Sequence, residues 1–442
     1  MPDLVIEGGI PLMGNVKISG AKNSAIKLLY ASLLSNENIV LENVPQIEFV
    51  ETDIEIIKSL GAKVEWVGND RLLVNASGLS TFEIPSEFGA VYRSSYLAVP
   101  ALLFRFGKAV VPKLDFSLNP KLTPINKFFE TWEHFGIAVE EEFDKYILRT
   151  GNIKPADFNF KTISHMGTDN AILTASFIDG ESIINNVSEE SEIDDLINLV
   201  TTMGAKVSRP APHKIIVRGT NIFKGGTAYV QADKAEVATF AIATVLTKGD
   251  VVLEDIDKTA LVSFTSFLSK IGARFEYSKN DFKIWRAGDK LEPQSLNISP
   301  SPGFVSDWQP LAVLALTQAD GLSTVHDTVY TNRFGYVKDL NRMGTRIDLM
   351  KPSEAGVQSV VNDDSYDVDV MGEPQNFVKI YGPTKLKGNK VDIPDFKYGG
   401  VLALAALIAE GRSTVSSWYN IEKGFHNFFE KLDNLGARIS TE

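Results

Sequence analysis

The sequence predicts an α/β protein with two domains, each built from three repeated units. The first observation is a short phrase that occurs six times, in which a helix-like stretch ends at a glycine and a strand-like run follows. A glycine just past the last apolar helical position supplies the left-handed turn that ends a helix, and β-branched residues then begin a strand. The six glycines are Gly61, Gly136, Gly204, Gly272, Gly344 and Gly436.

A second strand-like segment lies upstream of most copies of this phrase. Each unit therefore consists of a helix, a strand, a second helix, the glycine turn and a second strand. The glycines lie roughly 68 to 92 residues apart, which is longer than a solenoid repeat, so each unit is predicted to be a small α/β subdomain. A chain of 442 residues is long enough for two domains of three units. The upstream segments are residues 36–44, 180–187, 249–256, 321–329 and 411–419.

The composition excludes several classes of partner and site. A net charge of −12 argues against nucleic-acid and anionic-membrane partners, because nothing supplies the long-range attraction that they need. The chain has no cysteine, which excludes disulfides, thiolate metal sites and a cysteine nucleophile. The five histidines show no close pair at metal-ligand spacing. We therefore expect neither a metal nor another cofactor.

The apolar segments indicate no targeting or membrane-spanning sequence. The N-terminus is acidic and lacks the apolar core of a secretory signal. The most apolar window, residues 401–409, is too short to span a membrane. We expect a cytoplasmic protein that is a monomer or a weak homo-oligomer.

In chain order, residues 4–18 predict two short strands around Gly8 and Gly9, and a glycine-containing turn then opens a helix over residues 25–34. Lys22 and Asn23 lie at this opening, where an ammonium group and backbone amides point at one spot. Such a spot prefers an anion, a phosphate or a carboxylate. The alternative is that Ser19 caps the helix and that Lys22 is only solvated.

The run Ile18-Ser19-Gly20-Ala21-Lys22-Asn23-Ser24-Ala25, together with Leu33-Leu34 and Glu42-Asn43-Val44-Pro45, resembles the start of UDP-N-acetylglucosamine enolpyruvyl transferases (MurA), relatives of enolpyruvylshikimate-phosphate synthase. The resemblance extends over essentially the whole chain and marks it as a divergent member. It implies two inside-out α/β barrels of three units, with the active site in the cleft between them. It also implies interleaved domains, one of residues 22–231 and one of residues 1–21 with 232–442.

The family's reaction moves the enolpyruvyl group of phosphoenolpyruvate to the 3-hydroxyl of UDP-N-acetylglucosamine and releases phosphate, a step of peptidoglycan precursor synthesis. Cations must hold the phosphate and the carboxylate, an acid must protonate the methylene carbon, and a base must take the hydroxyl proton. The expected partners are therefore phosphoenolpyruvate and a nucleotide-sugar acceptor.

The resemblance assigns the first site residues by their motifs. Lys22 matches the phosphate-holding lysine, Asn23 the neighbouring acceptor-site asparagine, and Arg93 an active-site arginine. Glu190 and Glu192 match an acidic pattern on the cleft side, although both are also explained as carboxylates that start a helix. Asp233 lies at the domain crossing, where lysine follows it instead of the family's arginine.

Further along, Asp307 matches the carboxylate that contacts the reacting hydroxyl, and so is the candidate base. An N-cap for a helix over residues 308–316 is the alternative role for this aspartate. The run Tyr330-Thr331-Asn332-Arg333-Phe334 resembles the family's Glu-Asn-Arg-Phe pattern, which makes Tyr330 and Arg333 candidates for the cleft.

The departures from the family lie at the substrates. Asp115 stands at the position of the loop cysteine acid, a substitution that some members share, and it removes the thiol that fosfomycin alkylates. A carboxyl can act as the acid if its pKa is raised. The arginine of the loop's Arg-Pro pair is Asn119 here, followed by Pro120 and by Lys121, the nearest cation. Two further family arginines correspond to Lys397 and Lys423, and lysine keeps the charge but not the bidentate fork.

The segments that hold the uridine in the family, residues 120–124 and 161–167, match poorly. Leu122 replaces an aspartate, and His165-Met166 interrupt a small-residue turn. Three hypotheses follow: a transferase that acts on UDP-N-acetylglucosamine, a paralogue with a different nucleotide or sugar acceptor, and a non-catalytic relative that binds a ligand.

Overall fold

The structure is a computed structural model that describes residues 2–117, 125–362 and 366–442, and for Lys397 only the backbone. Contacts between Cα atoms divide the chain into two compact units. We call Gly20–Gln231 the central unit, and Met1–Ser19 with Ala232–Glu442 the terminal unit. Gly20 and Ala21 belong to the central unit, in which the Ala21 N–H donates to the Gln231 carbonyl at 2.7 Å. The sequence had placed the first crossing two residues later, after Ala21.

The first residues of the terminal unit form the two strands predicted around Gly8 and Gly9. They are β1 (Leu4–Glu7) and β2 (Met13–Lys17).

The central unit alternates helices with short strands. Its helices are α1 (Lys22–Ser32), α2 (Glu48–Ser59), α3 (Ser86–Gly89), α4 (Val99–Phe106), α5 (Asn126–His134), α6 (His165–Ser176) and α7 (Glu192–Met203). Its strands are β3 (Ile39–Glu42), β4 (Lys63–Trp66), β5 (Arg71–Asn75), β6 (Lys108–Pro112), β7 (Ala138–Glu141), β8 (Lys145–Arg149), β9 (Asp157–Asn159), β10 (Glu181–Asn185), β11 (Lys206–Ala211), β12 (Lys214–Arg218) and β13 (Gly226–Tyr229). A 3-10 helix, Arg93–Ala98, precedes α4.

The terminal unit has the same character. Its helices are α8 (Lys234–Leu246), α9 (Val262–Lys270), α10 (Gln309–Leu316), α11 (Val337–Met343), α12 (Val368–Met371), α13 (Phe396–Ile408), α14 (Tyr419–Glu422) and α15 (Phe428–Asn434). Its remaining strands are β14 (Asp250–Glu254), β15 (Ala273–Ser278), β16 (Asp281–Arg286), β17 (Ser295–Ile298), β18 (Gly321–Asp327), β19 (Ile347–Met350), β20 (Phe377–Gly382), β21 (Lys390–Asp392), β22 (Arg412–Ser416) and β23 (Arg438–Thr441). Short 3-10 helices span Lys258–Leu261, Ser306–Trp308 and Pro352–Ala355.

The glycine turns are confirmed at all six predicted positions. Their φ angles lie between +74° at Gly136 and +123° at Gly204, a region that side chains rarely occupy. Each glycine follows a helix and precedes a strand. The five upstream strands are also confirmed, since β3, β10, β14, β18 and β22 lie inside the predicted segments.

Five four-stranded sheets in the described ranges share one order of strands. In each, an upstream strand pairs in parallel with one neighbour and antiparallel with the other, and the strand after a glycine turn lies at the edge. The orders are β13-β3-β5-β4 and β9-β10-β12-β11 in the central unit, and β2-β14-β16-β15, β17-β18-β20-β19 and β21-β22-β1-β23 in the terminal unit. A three-stranded sheet, β6-β8-β7, completes the central unit. The chain is thus an α/β protein, and the six equivalent repeats and the inside-out barrels stay predictions.

Helices that are buried on nearly all sides lie in the interior of each unit. Nearly every residue of α8 is buried, as is all of α10, and in the central unit most of α1 and α6 is buried. Helix α10 is almost entirely apolar, as is typical of a core helix, whereas α1 and α6 also bury polar and charged side chains. Within the described ranges, no helix combines the length and the apolar character that a membrane crossing requires.

The helix at the first predicted anion site starts earlier than the sequence indicated. It begins at Lys22 rather than at Ala25, and Ala21 precedes it without a side-chain cap. The alternative role of Ser19 as the cap is wrong, because Ser19 lies in the terminal unit and its Oγ accepts a hydrogen bond from Lys431 Nζ at 2.6 Å.

Candidate functional site

Lys22 and Asn23 occupy the first turn of α1 and are half-buried. The Lys22 ammonium lies 4.8 Å from the centroid of the Phe49 ring on α2, a distance that fits a cation–π contact. The first turn of a helix also presents backbone N–H groups that favour a negative charge. This turn therefore offers the two kinds of donor that the sequence expected at an anion site.

A buried carboxyl, that of Asp53 on α2, lies next to this turn. Tyr30 on α1 donates its hydroxyl proton to Asp53 Oδ1 at 2.5 Å, and Ser94 also hydrogen-bonds the carboxyl. Burial raises the pKa of Asp53 to about 6, and the opposing effects are the bonds from Tyr30 and Ser94 and the attraction of Lys22. Asp53 thus exchanges its proton in the mildly acidic range, and the charge of Lys22 influences this exchange.

Arg93 begins the 3-10 helix that precedes α4. Its Nη2 and Nε atoms lie 2.7 Å and 3.2 Å from the sulfur of Met166 on α6. A thioether is a weak acceptor, so this contact satisfies little of the guanidinium's capacity to donate. Arg93 therefore lies in the same unit as Lys22 and beside the segment 161–167 that the sequence associated with the uridine.

A second buried charge pair joins α1 to α6. Lys27 Nζ donates to Asp169 Oδ1 at 2.8 Å, and both side chains are almost fully buried. Lys27 Nζ also lies 2.6 Å from Nε2 of His165, the first residue of α6. Because an ammonium only donates, His165 Nε2 acts as the acceptor in this contact. Burial raises the pKa of Asp169, and Lys27 opposes this.

A third carboxyl, that of Asp195 on α7, binds α1 one residue beyond Asn23. Its Oδ2 accepts hydrogen bonds from Ser24 Oγ and from the Gln231 N–H. Burial raises the pKa of Asp195, and these two bonds oppose the rise. Glu192 is the first residue of α7, as the helix-start alternative expected, whereas Glu190 lies two residues before the helix. The structure therefore separates the two glutamates that the sequence treated together.

Asp115 follows β6 in the central unit. Its backbone N–H donates to the Ala90 carbonyl at 2.9 Å, and its Oδ1 accepts from the Ser117 N–H at 2.8 Å and from Ser117 Oγ at 2.5 Å. Both bonds to the side chain stabilise the ionised carboxylate. The other predicted residues of this loop, Asn119, Pro120 and Lys121, lie outside the described residues.

In the terminal unit Arg333 contacts two other predicted residues, Asp307 and Tyr330. Arg333 Nη1 donates to Asp307 Oδ1 at 3.1 Å, and the Arg333 guanidinium lies 4.1 Å from the centroid of the Tyr330 ring. The Arg333 side chain is 14% exposed and that of Asp307 is 53% exposed. Asp307 lies inside the 3-10 helix Ser306–Trp308 and caps neither this helix nor α10, so the N-cap alternative is wrong.

Asp327, at the end of β18, holds the turn that carries Tyr330. It is buried, and its Oδ1 accepts from the N–H groups of Val329 and Tyr330. Burial raises the pKa of Asp327, while these two bonds and the attraction of Arg333 oppose the rise. The turn that carries Tyr330 is thus fixed by a carboxylate that the sequence analysis did not single out.

The remaining candidates of the terminal unit lie on other elements. Asp233 is the N-cap of α8 and accepts from the N–H groups of Ala235 and Glu236, which gives it a structural role. Lys423 follows α14, and its ammonium lies 5.9 Å from the Tyr419 ring centroid. Lys397 is the second residue of α13, and its side chain lies outside the described part. In the described part of the chain, no three histidine, aspartate or glutamate side chains are grouped to hold a metal ion.

Sequence reasoning missed the buried charges around these candidates. A detectable signal was present, because Asp53 interrupts the apolar stripe of α2 that Val50, Ile54 and Ile57 form. A charge within such a stripe must find a partner when the helix packs. The other missed charges are Lys27, Asp169, Asp195 and Asp327.

The chain resembles known proteins over nearly its full length. Residues 6–432 match the family described as EPSP synthase (3-phosphoshikimate 1-carboxyvinyltransferase). The UDP-N-acetylglucosamine 1-carboxyvinyltransferase 3 of Caldanaerobacter subterraneus subsp. tengcongensis is 32% identical over 440 residues, which are 99% of each chain. The UDP-N-acetylglucosamine 1-carboxyvinyltransferase 2 of Bacillus subtilis is 30% identical over 443 residues, which are 100% of this chain and 97% of the relative.

A solved structure shows the same fold. The enolpyruvyl transferase NikO from Streptomyces tendae superposes with a TM-score of 0.85 at 22% identity and covers 99% of this chain and 98% of its own. At that identity the likeness concerns the fold. The family match and the full-length relatives together establish that this chain belongs to the EPSP synthase family of carboxyvinyl transferases.

Proposed function

We propose that this protein moves the enolpyruvyl group of phosphoenolpyruvate to the 3-hydroxyl of UDP-N-acetylglucosamine and releases phosphate. The observation that carries the proposal is the pairing of Asp307 with Arg333. An arginine partner favours the ionised form of a carboxylate, and the half-exposed side chain leaves Asp307 accessible to a substrate hydroxyl. Asp307 then acts as the base that takes the hydroxyl proton.

Cations from both units hold the two anionic groups of phosphoenolpyruvate. In this proposal Lys22 and Arg93 contribute from the central unit and Lys397 and Lys423 from the terminal unit, and Arg333 is the partner of Asp307. Charge-assisted hydrogen bonds to phosphate and carboxylate are the strongest that such a site can make. The other site residues are Asn23, Asn119, Pro120, Lys121, Glu190, Asp233 and Tyr330. The proposed architecture is a pair of inside-out barrels with the site in the cleft between them.

Asp115 is the proposed acid that protonates the methylene carbon. Its two bonds from Ser117 favour the carboxylate, so the acid role requires Asp115 to leave this arrangement when the substrates bind. A carboxylate lacks the thiol that fosfomycin alkylates, and the proposal therefore includes insensitivity to this drug. We further propose that the protein acts in the cytoplasm, as a monomer or a weak homo-oligomer, in the synthesis of peptidoglycan precursors.

The test is phosphate release from phosphoenolpyruvate with UDP-N-acetylglucosamine, compared with a control that lacks the acceptor. Release should require the acceptor and should fall about 100- to 10,000-fold in Asp307→Asn and in Asp115→Asn, the usual effect of losing a general base or acid. Asp339→Asn, on α11, is a matched control because the Asp339 side chain, which is 23% exposed, pairs with Arg342 and has no assigned role in the site. Full activity of both site variants would refute the assigned roles.

A different acceptor is the second candidate, and the start of α6 favours it. His165 contacts Lys27, and the sulfur of Met166 contacts the guanidinium of Arg93. Both residues belong to the segment that matched the uridine-binding pattern poorly. This candidate predicts binding of phosphoenolpyruvate but no thermal shift with UDP-N-acetylglucosamine. A panel of nucleotides and nucleotide sugars then identifies the acceptor, and silence with every acceptor would support a non-catalytic binding protein.

A further inference from the structure

Asp53 is a buried carboxyl to which the proposed reaction assigns no role. It is 2% exposed and lies on α2, one helical turn beyond Phe49. Helix α1 contributes Lys22 and Tyr30 to its surroundings, and the 3-10 helix that begins at Arg93 contributes Ser94. The predicted anion-binding lysine, a proton-exchanging group and the arginine-bearing segment are thus adjacent within one unit.

Lys22 has two attractive neighbours on α2. Its ammonium lies over the face of the Phe49 ring, where the negative potential of the ring attracts a cation. It also attracts the ionised form of Asp53 across the same helix face. Tyr30 and Ser94 both hydrogen-bond the carboxyl, which holds the charge of Asp53 in place on α2.

An anion that binds Lys22 changes the protonation equilibrium of Asp53. The anion offsets the positive charge that favours ionisation, and it adds a like charge nearby, so both effects raise the pKa of Asp53. This pKa is already about 6, and a further rise brings it into the neutral range. Of the other carboxylates of α2, Glu51 faces a different partner, since its Oε1 accepts from Trp66 Nε1 at 3.1 Å.

We propose that Asp53 positions Lys22 and takes up one proton from solvent when a dianion binds that lysine. The ionised carboxylate holds the ammonium beside Phe49 before the anion arrives, and the protonated carboxyl no longer repels the anion once it is bound. The inference rests on the proposed function, which makes Lys22 an anion-binding residue. By linkage, the affinity for the dianion then falls as the pH rises.

The experiment is calorimetric titration with sulfate, which stays a dianion throughout, from about pH 5.5 to about pH 8 in two buffers with different heats of protonation. The wild-type protein should bind sulfate about tenfold more tightly at the acidic end. The heats in the two buffers should differ by an amount that corresponds to proton uptake. Asp53→Asn should abolish the uptake and flatten the pH dependence.

Two further variants separate this role from a loss of structure. Tyr30→Phe keeps the ring but removes a bond that favours the carboxylate, so the midpoint of the pH dependence should move to higher pH. Glu51→Gln, on the same helix, should behave like the wild type. Lys22→Gln should eliminate both sulfate binding and proton uptake.

Identical pH dependences for the wild type and Asp53→Asn would overturn the inference and leave the proposed function intact. A wild-type protein that binds no sulfate would also overturn it, since Lys22 would then hold no dianion by itself. Phosphate release in the acceptor assay decides the proposed function separately in either case.

Discussion

At the scale of single residues, the proposed role of Asp115 makes a prediction about fosfomycin. A thiolate opens the epoxide of the drug, whereas the proposal gives the wild type a carboxylate at this position. We predict that mass spectrometry detects no covalent adduct on the wild type and one adduct on Asp115→Cys. Ser117→Cys, two residues away, is the matched control for a thiol elsewhere in the loop, and it should stay unmodified.

An adduct on the wild-type protein would contradict this prediction. An unmodified Asp115→Cys would show instead that the substrate-binding residues, rather than the missing thiol, exclude the drug.

The buried pair of Lys27 and Asp169 makes a prediction about stability. Lys27→Met leaves the Asp169 carboxylate buried without a cation, which should cost about 3–5 kcal/mol of unfolding free energy near neutral pH. Loss of the cation raises the pKa of Asp169 in the folded variant further above its value in the unfolded chain. The free energy of unfolding of the variant therefore rises as the pH falls and drops as the pH rises, relative to the wild type. The loss should therefore be smaller at about pH 5 than at about pH 7.5.

Urea unfolding at these two pH values measures the effect. The double variant Lys27→Met with Asp169→Asn should recover part of the loss at neutral pH, because it removes the unpaired charge. A loss that is equal at both pH values would mean that packing, and not charge, explains it.

The residues of the candidate site were only partly predictable. Motif resemblance proposes Lys22, Asp307 and Arg333, because the chain keeps their local patterns, and their roles stay predictions. It did not identify the partner of Asp53, Tyr30, which lies 23 residues away in the sequence. It also did not identify the partner of Lys27, Asp169, which lies 142 residues away. A sequence shows that a charge interrupts an apolar stripe, but only the packed helices show which group satisfies it.

At the scale of elements, the glycine turns were the most predictable feature, because their conformation depends on local backbone sterics. Gly436 has a φ of +92° and no atom within 4 Å of the point that a Cβ would occupy, whereas a Cβ at Gly61 would lie 2.4 Å from the Gly78 carbonyl oxygen. We predict that Gly436→Ala costs about 1–2 kcal/mol, the strain of the left-handed region alone. Gly61→Ala should cost more, because the backbone must also move.

Thermal unfolding of the two variants checks this ranking. Gly288→Ala is the matched control, since its φ is ordinary and its surroundings are open, and it should change stability by less than about 0.5 kcal/mol. Equal losses for the Gly61 and Gly436 variants would show that the contact with Gly78 relaxes without cost.

Helix starts were less predictable than helix ends. The sequence proposed Ser19 and Asp307 as caps because serine and aspartate favour that position, yet both bind partners on other elements. Lys431 is 412 residues from Ser19, so no local pattern identifies it. Long-range hydrogen bonds thus overrode the local preference at both positions.

At the scale of the whole molecule, the first residues of the chain supply strands to two sheets of the terminal unit. The other strands of these sheets come from the last two hundred residues or so. Strand β1 lies between β22 and β23 and pairs antiparallel with both, and β2 pairs in parallel with β14. In the other four-stranded sheets, the strands at the positions of β1 and β2 belong to the same unit as the rest of their sheet. Most of them lie close in sequence to their neighbours, and β13 comes from the end of the central unit. The two units therefore differ in what they need to fold.

We predict that residues 20–231 fold when they are expressed alone, and that residues 232–442 alone do not. The first fragment contains every strand of its described sheets, whereas the second lacks the strand that joins β22 to β23 and leaves an edge of β14 unpaired. Residues 232–442 followed by a flexible linker and residues 2–19 restore both strands and should fold. Amide hydrogen exchange measures the outcome, because protected amides in β14, β22 and β23 require these pairings. Equal protection in the fragments with and without residues 2–19 would show that the core of α8, α10 and α13 holds the terminal unit without its first two strands.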